Sequence, residues 1–174
     1  MGKSIKEQDF FTRTAKEVAL DLLGKYICCK GEEEKYLISE TEAYYHCEKF
    51  CYGHGKSKTE TQKLASEPLF KEPGTWCVYG GQLLLSVTSD ELPDNVLIKR
   101  VKDKDGNTLG PDQIARYLHL YKSKSDYCGC SGQHSLSENA PLSIADGEKV
   151  VISSPLKRIN IKDEKKLRFV IDGK

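Results

Sequence analysis

The segment Leu37-Ile38-Ser39-Glu40-Thr41-Glu42-Ala43-Tyr44 is the most informative part of the chain, because an apolar run leads directly into two carboxylates and a tyrosine. Side chains alternate across a β-strand, so Glu40 and Glu42 are predicted on one face, with Thr41 and Ala43 on the other. Such an acid pair is more often a solvated sheet face than an active site. At the mouth of a pocket it supplies a proton acceptor, and the residues downstream favour that second interpretation.

The chain has 174 residues, of which 38% are hydrophobic, and this is enough for one domain with a substantial core. Charged residues make up 30% of the chain but nearly cancel to a net charge of +1, which argues weakly against a strongly basic nucleic-acid binder. The charge is unevenly spread, since residues 151–174 hold seven basic residues against three acidic ones. That segment is interpreted equally well as a basic patch or as a solvated surface.

Seven cysteines and an N-terminus without an apolar signal core predict reduced thiols in an intracellular protein, nuclear or cytoplasmic. No run approaches the length of a membrane span. Two groups have the composition of metal-ligand clusters: His46-Cys47-x-x-x-Cys51-x-x-His54 and Cys128-x-Cys130-x-x-x-His134. Their spacings fit structural zinc only in part, so free loop thiols are the favoured interpretation and zinc is the alternative.

Hydrophobic periodicity predicts two helices, over residues 9–25, with Thr12 or Thr14 as the N-cap, and over residues 111–120. Strands are predicted over residues 26–30, 35–42, 76–79, 83–88, 96–101, 149–153 and 167–171. Residues 47–72 have little periodicity and are interpreted as a long surface loop with room for one helical turn. No repeat or linker interrupts the pattern, so residues 1–174 are predicted to form one domain.

Three groups of side chains follow the acid pair. The first group consists of aromatic residues and histidines: Tyr44, Tyr45, His46, Tyr52 and His54. The second consists of Trp76 and Tyr79, beside a Gly-Gly turn. The third consists of two cations at the end of an apolar strand, Lys99 and Arg100. Each group alone has an ordinary structural explanation. Together they indicate a pocket for a flat π-system, as in enzymes that extrude a nucleobase and stack it between aromatic side chains.

Six motifs follow one another along nearly the whole chain: Phe10-Phe11 with Ala19-x-x-Leu22-Leu23-Gly24, Ile38-x-Glu40-Thr41-Glu42-Ala43-Tyr44, Pro73-Gly74-Thr75-x-x-Val78-Tyr79, Val96-Leu97-Ile98, Gly110-Pro111-x-x-Ile114, and Arg158-Ile159-x-Ile161 with Leu167-Arg168-Phe169-Val170-Ile171-x-Gly173. In this order they resemble the alkyladenine (3-methyladenine) DNA glycosylases. The resemblance implies a single α+β domain with a curved, mostly antiparallel sheet, flanking short helices and a protruding β-hairpin. It also implies a monomer that needs no cofactor and acts on damaged purines in double-stranded DNA.

Carried over by position, the resemblance makes Glu42 the acid that activates water and Tyr44 an aromatic that stacks on the flipped base. Tyr79 is the facing aromatic. His54 takes the place of the pocket histidine, with His46 as a rival. These roles imply hydrolysis of the N-glycosidic bond through an oxocarbenium-like state, with a general-base contribution of about 10²–10⁴-fold.

Departures from the family pattern generate further expectations. The hairpin is short, so Gln82 or Leu83 is predicted as the wedge in the minor groove. Lys99 stands where the family has an arginine near the catalytic water, and Arg100 is predicted on the opposite face of that strand. Ser86 replaces an asparagine that limits bases with a 2-amino group, which predicts a preference for 7-methylguanine and 3-methyladenine over neutral hypoxanthine or ethenoadenine.

The DNA contacts and the rival functions complete the predictions. Besides the hairpin tip, Arg100, Arg158 and Arg168 are candidate contacts to DNA, whose binding is expected to depend steeply on salt. One rival is a lesion-binding protein with little catalysis, motivated by the altered wedge. A second is a zinc-stabilised nucleic-acid-binding domain. A third is lyase chemistry with Lys99 as a Schiff-base nucleophile.

Overall fold

An eight-stranded antiparallel sheet organises the computed structural model, which describes residues 8–29, 31–55, 67–87, 92–120 and 142–173. The strands are β1 (Tyr26–Cys29), β2 (Lys35–Tyr44), β3 (Trp76–Tyr79), β4 (Gln82–Ser86), β5 (Asn95–Lys102), β6 (Thr108–Leu109), β7 (Leu142–Ala145) and β8 (Arg168–Val170). Their order is β3-β4-β5-β2-β1-β7, with β6 paired to β5 and β8 paired to β2. The sheet curls into a half-barrel and forms one α+β domain with the helices, which confirms the predicted fold class.

The helices are short, and the predicted helix over residues 9–25 is in fact two. They are α1 (Gln8–Phe11), α2 (Ala15–Leu22) and α3 (Pro111–Tyr117), with a 3-10 turn at Glu67–Phe70. Thr14 caps α2 through a capping box with Glu17, in which each side chain accepts from the other residue's backbone N–H. Because Thr14 caps a new helix that begins at Ala15, the prediction of Thr14 as an N-cap was correct. The prediction of one continuous helix was wrong. None of the described helices is long and apolar enough to cross a membrane.

Short or exposed strands account for most of the differences from the sequence prediction. The β1–β2 and β3–β4 hairpins are confirmed. The strands β6 and β7 were missed, because two to four residues give almost no periodic signal. The predicted strand over residues 149–153 is wrong: within the described chain this segment makes one isolated bridge, Ile152 to Ile171, and Val151 is 71% exposed.

Both faces of the central strands are buried. On one face, α2 and α3 pack over the larger core, which includes Ile38, Ala43 and Phe169. On the other face, the residues after β2 and the 3-10 turn cover a smaller cluster that contains Tyr44, with Leu84 and Leu97. The sheet therefore holds the end of β2 between two apolar layers.

Two compensating irregularities interrupt the pairing of β2 with β5. Ile38 pairs with Val101 and Thr41 with Ile98, but Glu40 between them pairs with Arg100, which leaves Ser39 and Lys99 without opposite partners. Each strand thus carries one extra residue, as in a β-bulge. Because of the extra residue in β2, Ile38 faces the larger core together with Thr41 and Ala43.

Gly24 is predicted to be essential at the end of α2, and Gly106 offers a matched control. Both residues have φ of +82°, but a Cβ on Gly24 would lie 2.5 Å from the Glu148 carbonyl oxygen, whereas a Cβ on Gly106 meets nothing within 4 Å. Gly106→Ala should cost about 1–2 kcal/mol of the free energy of unfolding from backbone strain alone. Gly24→Ala should cost about 3 kcal/mol or more, because the clash adds to that strain. Urea unfolding curves measure both, and equal losses would contradict the role of the clash.

Candidate active site

Glu42 is completely buried and is surrounded by hydrogen-bond donors. Its Oε2 accepts a 2.8 Å hydrogen bond from the Tyr44 hydroxyl, and its Oε1 accepts one of 3.0 Å from the backbone N–H of Ile159. The Lys99 ammonium lies 3.7 Å from Oε2. A charged carboxylate is costly to bury without such partners, so these three groups stabilise its negative charge in the interior.

Lys99 reaches Glu42 because it is the extra residue of β5. With the regular alternation of a strand, Arg100 would turn to the side opposite Lys99, as the sequence predicted. Instead, Arg100 Nε lies 3.1 Å from Glu40 Oε2, so both cations approach carboxylates on the same side of the sheet. The prediction for Arg100 was therefore wrong in orientation, and the bulge is the physical reason.

Tyr44 is held between Glu42 and a buried guanidinium. The Arg158 Cζ lies 4.6 Å from the centre of the Tyr44 ring. Burial, followed by the neighbouring charge of Glu42 and the hydrogen bond to it, raises the pKa of Tyr44. The phenol consequently stays neutral near pH 7 and acts as a donor to the carboxylate.

A second aromatic group lies at the β3–β4 hairpin. The rings of Tyr52 and Tyr79 have centroids 4.4 Å apart at 46°, and both residues pack against the cluster that contains Tyr44. The Tyr52 hydroxyl donates to Gln82 Oε1 at 2.7 Å. Burial raises the pKa of Tyr52, with smaller contributions from Tyr79, Cys77 and Glu42. The chain thus brings Glu42, Tyr44 and Tyr79 to one face of the sheet, as the sequence predicted.

The structure does not support three of the predicted contacts. Leu83 is fully buried in the larger core and is therefore wrong as a wedge. Arg158 has no exposed side-chain surface and binds Glu48 and Asp163, so it is not accessible to a phosphate. Ser86 is fully buried, and its Oγ donates to the carbonyls of Leu69 and Lys71 rather than facing a site.

The two candidate pocket histidines lie on the loop after β2. His54 is exposed, contrary to a residue lining a closed pocket, and its Nδ1 is 3.0 Å from the His46 carbonyl oxygen. His46 is bound to Asp94, with 2.8 Å between Nδ1 and Oδ1. A base-contacting role for either histidine stays a prediction.

The Cys/His clusters give no metal site in the described part of the chain, where no three potential ligands converge. Cys51 donates instead to the Pro93 carbonyl, and Cys47 is exposed. The second cluster, Cys128 to His134, lies outside the described residues.

The sequence did not predict the hydrogen-bond network of Arg158, which contacts the Tyr44 ring and the Ala43 carbonyl. The Arg158 guanidinium donates to the Ala43 carbonyl, to Glu48 and to Asp163. Lys165 adds a second cation to Glu48 at 2.7 Å. A single arginine that follows Lys157 and precedes Ile159 gives no sign of burial in a sequence. The Ile159 N–H was missed too, since backbone donors leave no compositional signal.

Comparison with known proteins identifies the family to which the chain belongs. The family model described as methylpurine-DNA glycosylase (MPG) matches residues 9–174. The chain therefore belongs to the methylpurine-DNA glycosylase family, which confirms the resemblance found in the sequence.

Two curated relatives, both provisionally named 3-methyladenine DNA glycosylase, are similar to the chain. The protein of Clostridioides difficile (strain 630) is 32% identical over 129 residues, which cover 70% of this chain and 61% of the relative. That of Clostridium novyi (strain NT) is 34% identical over 125 residues, covering 63% and 60% respectively. The chain spans about three-fifths of the length of these relatives.

The buried Glu48 is expected to make stability depend on pH. Burial alone would raise the pKa of Glu48, but hydrogen bonds from Arg158, Lys165 and the Tyr45 N–H outweigh burial and lower it. A lowered pKa in the folded state stabilises the protein above the unfolded value near 4.5 and loses that contribution as the pH falls. Glu48→Gln should therefore cost about 3 kcal/mol at pH 7, and less below pH 4.5.

Urea unfolding of the parent and of Glu48→Gln between pH 3 and pH 7 measures this difference. Glu164→Gln serves as the control, because its ion pair with Lys157 is exposed and should contribute less than about 0.5 kcal/mol at any pH. A difference between parent and Glu48→Gln that stays constant on acidification would contradict the assignment.

Proposed function

We propose that the protein is a DNA glycosylase that releases alkylated purines from double-stranded DNA by hydrolysing the N-glycosidic bond. The observation that carries the proposal is the buried Glu42 carboxylate, which shares one face of the sheet with Tyr44 and Tyr79. Membership of the methylpurine-DNA glycosylase family and the names of the two relatives support it.

Glu42 acts as the general base in this proposal. A carboxylate has about four lone-pair positions, and the described residues fill two of them with hydrogen bonds from Tyr44 and Ile159. The remaining capacity is enough to accept a proton from a water molecule. Because the Tyr44 hydroxyl and the Ile159 N–H fix the direction of both oxygens, the Glu42 carboxylate is already oriented before substrate binds.

Tyr44 and Tyr79 provide the aromatic surfaces for an extruded base. Arg158 occupies one face of the Tyr44 ring, and Tyr44 is only 5% exposed, so in this proposal a base reaches the other face once the side chains that cover it move aside. A purine alkylated at a ring nitrogen is cationic, and stacking on a tyrosine adds about 0.5–2 kcal/mol of cation–π attraction. The same positive charge makes the base a good leaving group.

Lys99 stabilises the Glu42 carboxylate and is not the nucleophile. Its ammonium is ion-paired with Glu42 and only 12% exposed, and an ammonium has no lone pair with which to attack a sugar carbon. Water is therefore the nucleophile, and the reaction leaves an abasic site with an intact strand.

Glu42→Gln is predicted to slow base release strongly. Because the substitution also removes the ion-pair partner of Lys99, thermal unfolding checks that the variant is folded at the assay temperature. The amide keeps the size and one acceptor oxygen but cannot take a proton, so the rate should fall by about 10²–10⁴-fold. Single-turnover release of 3-methyladenine and 7-methylguanine from methylated duplex DNA measures the effect.

Glu148→Gln is the matched control, because Glu148 also accepts a hydrogen bond from a tyrosine, Tyr26, at 2.7 Å on β1. It should release bases at the parental rate. Equal rates for parent and Glu42→Gln would remove Glu42 from the mechanism. A parent that binds lesions without releasing them would favour a lesion-binding protein instead.

Cationic bases are predicted to be released at least about tenfold faster than hypoxanthine or ethenoadenine. A neutral base needs a proton to leave, and the nearest donors described, Tyr44 and Lys99, already serve Glu42. Ser86 is fully buried and plays no part in this preference. Excision across duplexes carrying one lesion each tests the order, and faster release of hypoxanthine would contradict it. Strand cleavage without alkali treatment in the same assay would reveal lyase chemistry.

A further inference from the structure

Glu40 lies between two arginines from the strands on either side of β2. Its Oε1 accepts a 2.7 Å hydrogen bond from Arg168 Nε, and Arg100 Nε lies 3.1 Å from its Oε2. Glu40 is 1% exposed, whereas the side chains of Arg100 and Arg168 are 51% and 21% exposed. One buried carboxylate thus holds two guanidiniums that reach the surface.

Glu40, Arg100 and Arg168 together carry a net charge of +1, because two guanidiniums share one carboxylate. Both arginines meet Glu40 through Nε, so the outer edges of their guanidiniums point away from the carboxylate. Among the described residues, Arg168 Nη1 makes a long 3.4 Å contact with the Lys157 carbonyl oxygen, and the Arg100 guanidinium makes no hydrogen bond. Glu40 Oε2 itself receives no hydrogen bond from the described chain, so charge rather than a directed bond holds Arg100. Arg100 is therefore able to turn toward a second anion.

The position of the pair relative to Glu42 defines which anion fits. Glu40 and Glu42 are two residues apart on one face of β2, so they are separated by about 7 Å along the strand. The two phosphates of a nucleotide are each bonded to its sugar through one oxygen, so a phosphate bound near Glu40 and a sugar bound near Glu42 can belong to the same nucleotide. Arginine binds phosphate oxygens with two parallel N–H groups, and a phosphodiester would bring the total charge of the group to zero.

We propose that Arg100 and Arg168, positioned by Glu40, together bind a single backbone phosphate beside the extruded nucleotide. This inference rests on the proposed glycosylase function and adds a specific anchor for the damaged strand. The phosphate anchor would set the distance of the sugar from Glu42, because Glu40 lies on the same β-strand as Glu42, the general base that activates water.

A phosphate scan tests the proposal directly. The probe is a duplex with one tetrahydrofuran abasic-site analogue, in which single phosphates near that site are replaced one at a time by uncharged methylphosphonates. The parent should lose about tenfold in affinity at one position, as expected when a charge-assisted hydrogen bond is removed. Arg100→Gln and Arg168→Gln should each bind the unmodified duplex about tenfold more weakly and be insensitive to replacement at that same position.

Two further variants make the scan decisive. Arg13→Gln removes an ion-paired guanidinium at the start of α2, on the opposite side of the sheet, and should follow the parent throughout. Arg100→Gln/Arg168→Gln should lower the slope of log affinity against log salt concentration by about 0.9, the value for one phosphate, rather than by twice that amount. Thermal unfolding checks the fold, and the half-exposed Arg100 decides the outcome if Arg168→Gln is destabilised.

Sensitivity at two different positions for the two arginines, or unchanged sensitivity in both variants, would overturn the shared phosphate site. Base release from methylated DNA separates this result from the proposed function. A parent that releases bases but shows no shared position retains the glycosylase function and loses the phosphate site. A parent that shows the shared position without base release loses the proposed function alone.

Discussion

The paired bulges at Ser39 and Lys99 are the constraint on which the arrangement of the site depends. In an uninterrupted β2–β5 ladder, Ile38 would share a face with Glu40, and Lys99 and Arg100 would point to opposite sides. The two extra residues cancel over three positions, so the ladder resumes its register at Thr41. As a result, the two strands place Glu40, Glu42, Lys99 and Arg100 on one side of the sheet, while the apolar side chains stay in the core.

Burial of negative charge is the second requirement, and each buried glutamate meets it with its own cations. Glu42 has Lys99, Glu40 has Arg100 and Arg168, and Glu48 has Arg158 and Lys165. A buried charge that loses its partner is strongly destabilising, so these pairs constrain the surrounding strands to one geometry. The near-zero net charge of the chain conceals this arrangement, because the cations beside the site are matched largely by interior acids.

The sequence was sufficient where the placement of a side chain depends on the alternation of residues along a strand. Glu42 and Tyr44 share a face because they are two residues apart, and Tyr79 joins them because the Gly-Gly turn fixes the hairpin. The assumption of regular alternation gave the wrong orientation for Arg100, because a β-bulge cannot be recognised from the composition of the strand. It was not applied at Leu83, whose partner across the hairpin is Val78, a core residue.

Long-range pairing accounts for the other errors. Arg158 was predicted to contact DNA, but its side chain is buried against Glu48, which lies 110 residues away in the sequence and is brought close only when the chain returns to β2. The Ile159 N–H contacts Glu42 across more than a hundred residues of sequence, and no local pattern records such a contact. The motif around Arg158 marked the segment as important without indicating that its role is internal.

The two-residue turn of the β3–β4 hairpin limits which insertions and deletions the hairpin can accept. Gly80 and Gly81 both have positive φ, as a type I′ turn requires, and Tyr79 pairs directly with Gln82. Adding one residue would slide one strand past the other, and either the Tyr79 ring or the Leu83 side chain would then change sides of the sheet. Length variation in this hairpin is therefore compatible with the present site only in steps of two, or with a compensating bulge.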